Sequence, residues 1–200
     1  SHCDRIEFFR ECFYLLLCGC GTGYSVQSQH VDRLPDLEPS TKKLGMKVVD
    51  SIEGWATAAD LLIKSYFGYN QKPIFDYSDI RPKGAPLSAG GKAPGHEPLK
   101  KALDNVEHVL KKASENGRLS PIDCYDIVCH LADAVISGGV RRSATICVFS
   151  KDDEDMLKAK TGNWFTENPQ RGRSNNSVAL LRSETTRDEF ASFMQSVKEF

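Results

Sequence analysis

SGGVRRSATICVF, Ser137–Phe149, is where the chain passes from helix to strand in the fewest residues. An amphipathic helical pattern runs into two glycines, two adjacent arginines follow, and apolar residues then alternate as in a strand. Gly138 and Gly139 end the helix and allow a sharp turn, because glycine adopts backbone angles that a Cβ forbids. Arg141 and Arg142 then put two guanidinium groups on a short loop at the start of the strand. Guanidinium forks match phosphate oxygens and stack on flat rings. The loop reads as a nucleotide contact or as a surface turn with two solvated arginines, and spacing alone does not choose. For the fold, a helix handed directly to a buried strand is the unit step of an α/β architecture, and the same alternation extends in both directions.

Upstream, Ser120 is placed to cap the preceding helix, with Pro121 first and Asp123 third, and Ile122, Tyr125, Ile127, Val128, Leu131, Val135 and Ile136 mark it as well buried. A helix from Glu97 to about Ala113 turns Leu99, Leu103, Val106, Val109 and Leu110 inward, and Gly117 breaks it. Nearer the start, a helix over Arg5–Leu17 has Asp4 as its expected cap and Glu7 at capping-box spacing. It ends in CGCGTG, Cys18–Gly23, and a short strand over Tyr24–Gln27 is expected next. Those glycines fit either a nearby ligand or tight helix–strand packing. Val31–Lys47 is weakly patterned and reads as an excursion over the surface. In DSIEGWATAADLLIKSYF, Asp50–Phe67, Asp50 and Glu53 repeat the capping spacing, and Trp55, Ala58, Leu61, Leu62 and Tyr66 form the apolar stripe. This helix and the first resemble each other loosely, as a packed pair or by chance. Downstream, a strand over Thr145–Phe149 precedes a short acidic helix with Ser150 as its expected cap. RSNNSVALL, Arg173–Leu181, reads as a loop entering another strand, and Thr186 and Glu189 open a final helix. The whole pattern predicts an α/β fold with a largely parallel sheet, in which ligands bind at strand ends.

PIFDYSDIRPKGAPLSAGGKAPGHEPL, Pro73–Leu99, is the second informative region. Ile74, Phe75, Tyr77 and Ile80 predict a strand that delivers Asp79 and Arg81 to its end. The loop after it has no apolar run, and such loops carry function or serve as solvated linkers. Arg81, Lys83 and Lys92 give it a local positive bias that fits an anion, most simply a phosphate group.

Composition bounds the rest. Apolar residues make up 40% and charged residues 26%, as in a globular chain. A net charge of -1 gives no electrostatic reason to expect duplex nucleic acid or a membrane surface as partner. The longest apolar stretch, Cys12–Cys20, is too short to span a bilayer, and no leader is visible. Seven cysteines without a secretory context read as reduced thiols in a cytoplasmic protein. Cys18 and Cys20 have the wrong spacing for a zinc knuckle, no metal pattern is present, and Cys124, Cys129 and Cys147 read as buried apolar side chains. Ser1 opens almost on a helix start and Phe200 falls inside an amphipathic pattern, so an internal piece of a longer polypeptide is expected.

Three segments carry a further resemblance. SDIRPKGAPLSAGG (Ser78–Gly91), SGGVRRSA (Ser137–Ala144) and RSNNSVAL (Arg173–Leu180) are similar to ribonucleotide reductase large subunits, most closely the adenosylcobalamin-dependent, monomeric ribonucleoside-triphosphate reductases. CGCGTGYSV, SIEGW and GRLSPIDCYDI follow the same order, so the resemblance covers essentially the whole chain.

The resemblance implies a fold: the first half of a ten-stranded α/β barrel, threaded by a finger loop that carries a cysteine, with an inserted helical effector-site region around residues 31–70. It implies that Ser137, Gly138, Gly139, Arg141 and Arg142 belong to a loop linking the specificity site to the substrate base, with Arg141 or Arg142 sensing the base. Arg81 and Lys83 would hold the phosphates of a deoxynucleoside triphosphate effector, and Asp50 its ribose, although capping alone also accounts for Asp50. The implied reaction replaces the ribose 2′-hydroxyl of a ribonucleoside triphosphate with hydrogen by thiyl-radical chemistry. It uses adenosylcobalamin and a thioredoxin-like dithiol. The finger-loop cysteine motif is absent, so the segment alone is not expected to catalyse. The resemblance places the first cysteine of the reducing pair on a strand before the first helix; Cys3, beside the helix start, comes too late for it, so that cysteine is expected upstream of this piece, with Cys3 as the lesser alternative. Other readings are a non-catalytic nucleotide-sensing module, a diiron-dependent ribonucleoside-diphosphate reductase and an unrelated α/β protein that binds a phosphorylated metabolite. The last does not explain three motifs in one order.

Overall fold

The computed structural model of the chain describes residues 1–86, 91–137 and 144–198. The elements are α1 (Glu7–Leu17), β1 (Thr22–Ser25), α2 (Ser28–Val31), β2 (Lys43–Lys47), α3 (Ile52–Ser65), β3 (Lys72–Asp76), α4 (Glu97–Ser114), α5 (Pro121–Ser137), β4 (Thr145–Ser150), α6 (Glu154–Leu157), α7 (Trp164–Glu167), a 3-10 turn (Pro169–Arg173), β5 (Ser174–Ala179) and α8 (Arg187–Lys198). The strands form a three-stranded sheet in the order β1-β4-β5 and a two-stranded sheet of β2 and β3. Each pairing among these strands is parallel, so the predicted α/β architecture with parallel sheets is what the chain adopts.

The core follows from helical periodicity. Phe9, Phe13 and Leu16 of α1, Leu99, Leu103, Val106 and Leu110 of α4, and Ile127, Val128 and Leu131 of α5 are almost wholly buried in one cluster. Full burial of side chains this size stabilises by roughly 1.5–3 kcal/mol each. The two similar helices, α1 and α3, do pack together, and α4 packs along α5. Cys124, Cys129 and Cys147 are buried as expected, and so are Cys3 and Cys12, whereas Cys18 and Cys20 are exposed. Burial pushes the Cys12 thiol up to about 11 and the Cys147 thiol to about 12. These thiols act as small apolar groups rather than nucleophiles. No helix among the described residues is long and apolar enough to cross a membrane.

Several boundaries differ from the sequence reading, each for a local reason. Helix α1 starts at Glu7, so Glu7 stands in its first turn, and Asp4 makes no cap but accepts from Arg5 at 3.2 Å. Strand β1 lies two residues earlier than expected because its register is set by β4, with Thr22 opposite Thr145. The excursion from Val31 to Lys47 ends in β2, a largely exposed strand held by β3. The α3 cap is Ser51, not Asp50, and the α6 cap is Asp153, not Ser150. The box at Ser120 is present: its amide donates to Asp123 Oδ2 at 2.9 Å, and its hydroxyl to the same oxygen at 2.5 Å. The motif entering β5 is structural in its first residues: Arg173 Nε donates to Asp133 Oδ1 at 2.8 Å, and Ser174 is buried.

Candidate functional site

Because β2 and β3 run parallel, their C-terminal ends lie together, with Lys47 opposite Asp76. Beyond them the pairing continues for one bond, from the Val48 amide to the Asp76 carbonyl at 2.9 Å. Val48 is buried, and the chain then turns through Val49 and Asp50 into Ser51, whose hydroxyl accepts the Gly54 amide at 2.9 Å. That bond satisfies an otherwise open amide in the first turn of α3. Gly54 is required here, since a Cβ on it would overlap the Val49 carbonyl oxygen. The close approach fixes the backbone immediately before Asp50.

The exit from β3 is equally constrained. Asp76 Oδ1 accepts the Ser78 amide at 2.9 Å, which holds the Asp76 carboxyl below its usual range. Ile80 is buried, its amide donates to the Tyr77 carbonyl at 3.0 Å, and Tyr77 stacks on His96 with ring centroids 5.4 Å apart. Arg81 therefore springs from a fixed point. Beyond it the loop folds on itself: the Gly84 amide donates to the Ala93 carbonyl at 2.8 Å, and the Ala93 amide to Ala85 at 2.7 Å. Gly95, at φ +80°, lets the strand-like return pass close to the Lys83 backbone.

Two ion pairs cross between these strand ends. Lys47 Nζ lies 2.7 Å from Asp79 Oδ1, and Arg81 Nε donates to Asp50 Oδ2. The bond to Asp79 and its charge raise the Lys47 ammonium above its ordinary value. Lys83 has no ion pair among the described residues. The positive bias expected of the loop is thus offset at Arg81, which is paired with Asp50, while Asp79 is taken up by Lys47. The arrangement holds a cationic fork and a carboxylate side by side, which suits a ligand carrying both an anionic group and a hydroxyl.

Asp50 and Arg81, singled out separately in the sequence, are thus in contact, and Lys83 follows two residues later. Ser137 is the last residue of α5, while Gly138, Gly139, Arg141 and Arg142 lie outside the described residues. Cys3 is fully buried, its amide donates to the Ser25 carbonyl at 3.0 Å, and burial together with the adjacent Cys124 thiol pushes its own thiol well up. The sequence reading missed Lys47 and Gly54. Gly54 left a signal, an isolated glycine in the first turn of a helical pattern. Lys47 left none, because β2 is mostly exposed and shows no periodicity with the core. Among the described residues no group of three or more His, Cys, Asp or Glu side chains could hold a metal ion.

Residues 23–110 match the family model described as the insertion domain of B12-dependent ribonucleotide reductase. The adenosylcobalamin-dependent ribonucleoside-triphosphate reductase of Lactobacillus leichmannii is 40% identical over 140 residues, which cover 67% of this chain and 19% of that protein. A probable enzyme of the same name from Dictyostelium discoideum is 38% identical over 136 residues, 66% of this chain and 17% of its own length. The crystal structure of a B12-dependent, class II ribonucleotide reductase superposes with a TM-score of 0.71 and 28% identity, covering 86% of this chain and 28% of that one. The chain therefore spans about a fifth of the length of the curated relatives it matches. Sequence matches and fold agree, and the chain belongs to the B12-dependent, class II ribonucleotide reductase family.

Proposed function

We propose that this chain is part of a cytoplasmic enzyme that reduces ribonucleoside triphosphates to 2′-deoxyribonucleotides with adenosylcobalamin and a thioredoxin-like dithiol, and that it carries the allosteric half of that task. In this reading residues 1–200 belong to the first half of a catalytic barrel, with the effector-site insertion around 31–70. Asp50, Arg81 and Lys83 bind a deoxynucleoside triphosphate, Asp50 at the ribose and the two cations at the phosphates. Ser137, Gly138, Gly139, Arg141 and Arg142 form the loop that relays its identity to the substrate base. What supports the reading most is the contact between Asp50 and Arg81, drawn from two strand ends inside the segment that matches the family's insertion domain.

One hollow among the described residues does not fit adenosylcobalamin itself. Lined by Ser28, Pro121, Asp152, Asp153, Glu154 and Asp155, it is walled by four carboxylates, where a corrin face needs broad apolar contact. Cys3, deep in the core, packs as a small apolar side chain.

The test uses the intact protein that carries this segment. With adenosylcobalamin and a dithiol it is expected to reduce ribonucleoside triphosphates, with substrate preference changing with the deoxynucleoside triphosphate added. Arg81→Ala is expected to weaken effector binding by roughly 1.5–3 kcal/mol, about ten- to a hundredfold, as the loss of a charged hydrogen bond does. Unchanged effector affinity in titration calorimetry removes Arg81 from the site.

A further inference from the structure

The pairing of Asp50 with Arg81 has a consequence for what the site admits. The two side chains are 27% and 41% exposed, so a solute can reach them. Arg81 is bonded through Nε, and among the described residues its Nη1 and Nη2 groups have no partner. A phosphate can therefore meet the guanidinium, but only beside a carboxylate already in place. Asp76 and Asp79 add negative charge nearby, and Lys47 is committed to Asp79. An anion gains Arg81 against the repulsion of Asp50.

We propose that Asp50 is a specificity residue that acts as an internal competitor anion on Arg81, so that the site discriminates against ligands offering phosphate alone. The proposal rests on the reading of Arg81 as a phosphate contact. A nucleotide brings a sugar hydroxyl as well as phosphates. The hydroxyl donates to the Asp50 carboxylate and compensates it for the share of Arg81 that the phosphate takes. An inorganic polyphosphate has no such donor and bears the repulsion uncompensated. In partly exposed surroundings, one like-charge contact at such range weakens binding about three- to tenfold.

If Asp50 instead merely orients Arg81, removing its charge weakens binding of any anion. Isothermal titration of the intact protein with sodium tripolyphosphate and with a deoxynucleoside triphosphate separates the two. Asp50→Asn keeps the side-chain size and leaves the Ser51 cap in place, and an unchanged melting temperature verifies the fold. Tripolyphosphate is expected to bind Asp50→Asn about three- to tenfold more tightly than the parent protein, while the nucleotide binds no more tightly, so that the preference between them narrows. Tripolyphosphate binding that is unchanged or weaker in Asp50→Asn overturns the proposal, as does an equal rise for both ligands. Arg81→Ala serves as the separate control. If it leaves both affinities unchanged, the phosphate reading of Arg81 itself fails, whatever Asp50→Asn does.

Discussion

Ser51 accepts the Gly54 amide at 2.9 Å with its own backbone extended at φ -151°, the geometry of a helix N-cap. Ser51→Ala is expected to destabilise by about 1 kcal/mol, read as a lower denaturation midpoint in the fluorescence of the buried Trp55, one turn into the same helix. Asp50→Ala should show no such capping loss, because its carboxylate bonds Arg81 instead. Equal losses for the two variants would return the cap to Asp50. Neighbouring aspartate and serine are both good caps, so residue type could not decide between them. The choice turns on Arg81, 31 positions away, which takes up the Asp50 carboxylate, and no local pattern carries that information.

Glu107 of α4 joins three elements: it accepts from Tyr66 Oη at 3.1 Å, pairs with Lys72 of β3, and lies 3.3 Å from Lys111 Nζ. Burial alone would raise its pKa, but Lys72, the Tyr66 hydroxyl and Lys111 outweigh burial and hold the carboxyl below its ordinary 4.5. A depressed carboxyl stabilises the fold fully above its unfolded pKa and loses that contribution as pH falls through the folded value. The melting temperature should therefore decline below about pH 4.5, and Glu107→Gln should remove part of the decline while lowering stability at neutral pH. A parallel acid limb in the variant would exclude Glu107 as a source. Elements of this kind differed in how visible they were from sequence. Helices α4 and α5 and strand β4 show their periods because one face of each is buried, as at Leu103, Ile127 and Cys147. Strand β2 does not, since Lys43, Leu44 and Gly45 are all exposed and its only strand partner among the described residues begins at Lys72. The candidate site was legible residue by residue at Asp50 and Arg81, whereas the pairing of β2 with β3 that joins them was not.

At the scale of the molecule, the proposed relay needs two places that change together. The cluster stands at the ends of β2 and β3, while the stretch 138–143 precedes in sequence β4, a strand of the other sheet. One continuous core joins the helices: α3 packs on α4, α4 on α5, and α5 ends at Ser137, after which the Gly-Gly-x-Arg-Arg stretch follows in sequence. A close-packed interior shifts by discrete repacking rather than by smooth deformation. Ligand identity at one end can therefore bias the loop only if the loop has alternative arrangements that meet each base differently. In the proposed relay, that role falls to Gly138 and Gly139, as residues without a Cβ, and to Arg141 and Arg142, whose guanidinium groups are of a kind that hydrogen-bonds or stacks on a base. Arg142→Ala in the intact protein is then expected to flatten the dependence of substrate preference on effector while effector affinity stays within about twofold, since the phosphate contacts proposed here lie at Arg81 and Lys83. The measurement is reduction of competing ribonucleoside triphosphates with each deoxynucleoside triphosphate in turn, alongside calorimetric titration of the effector. An unchanged preference pattern removes Arg142 as the sensor and moves the question to Arg141→Ala. Loss of turnover with every substrate instead makes Arg142 a residue that holds substrate. A fall in effector affinity matching that of Arg81→Ala would place the loop in the effector site itself, and no relay would be needed.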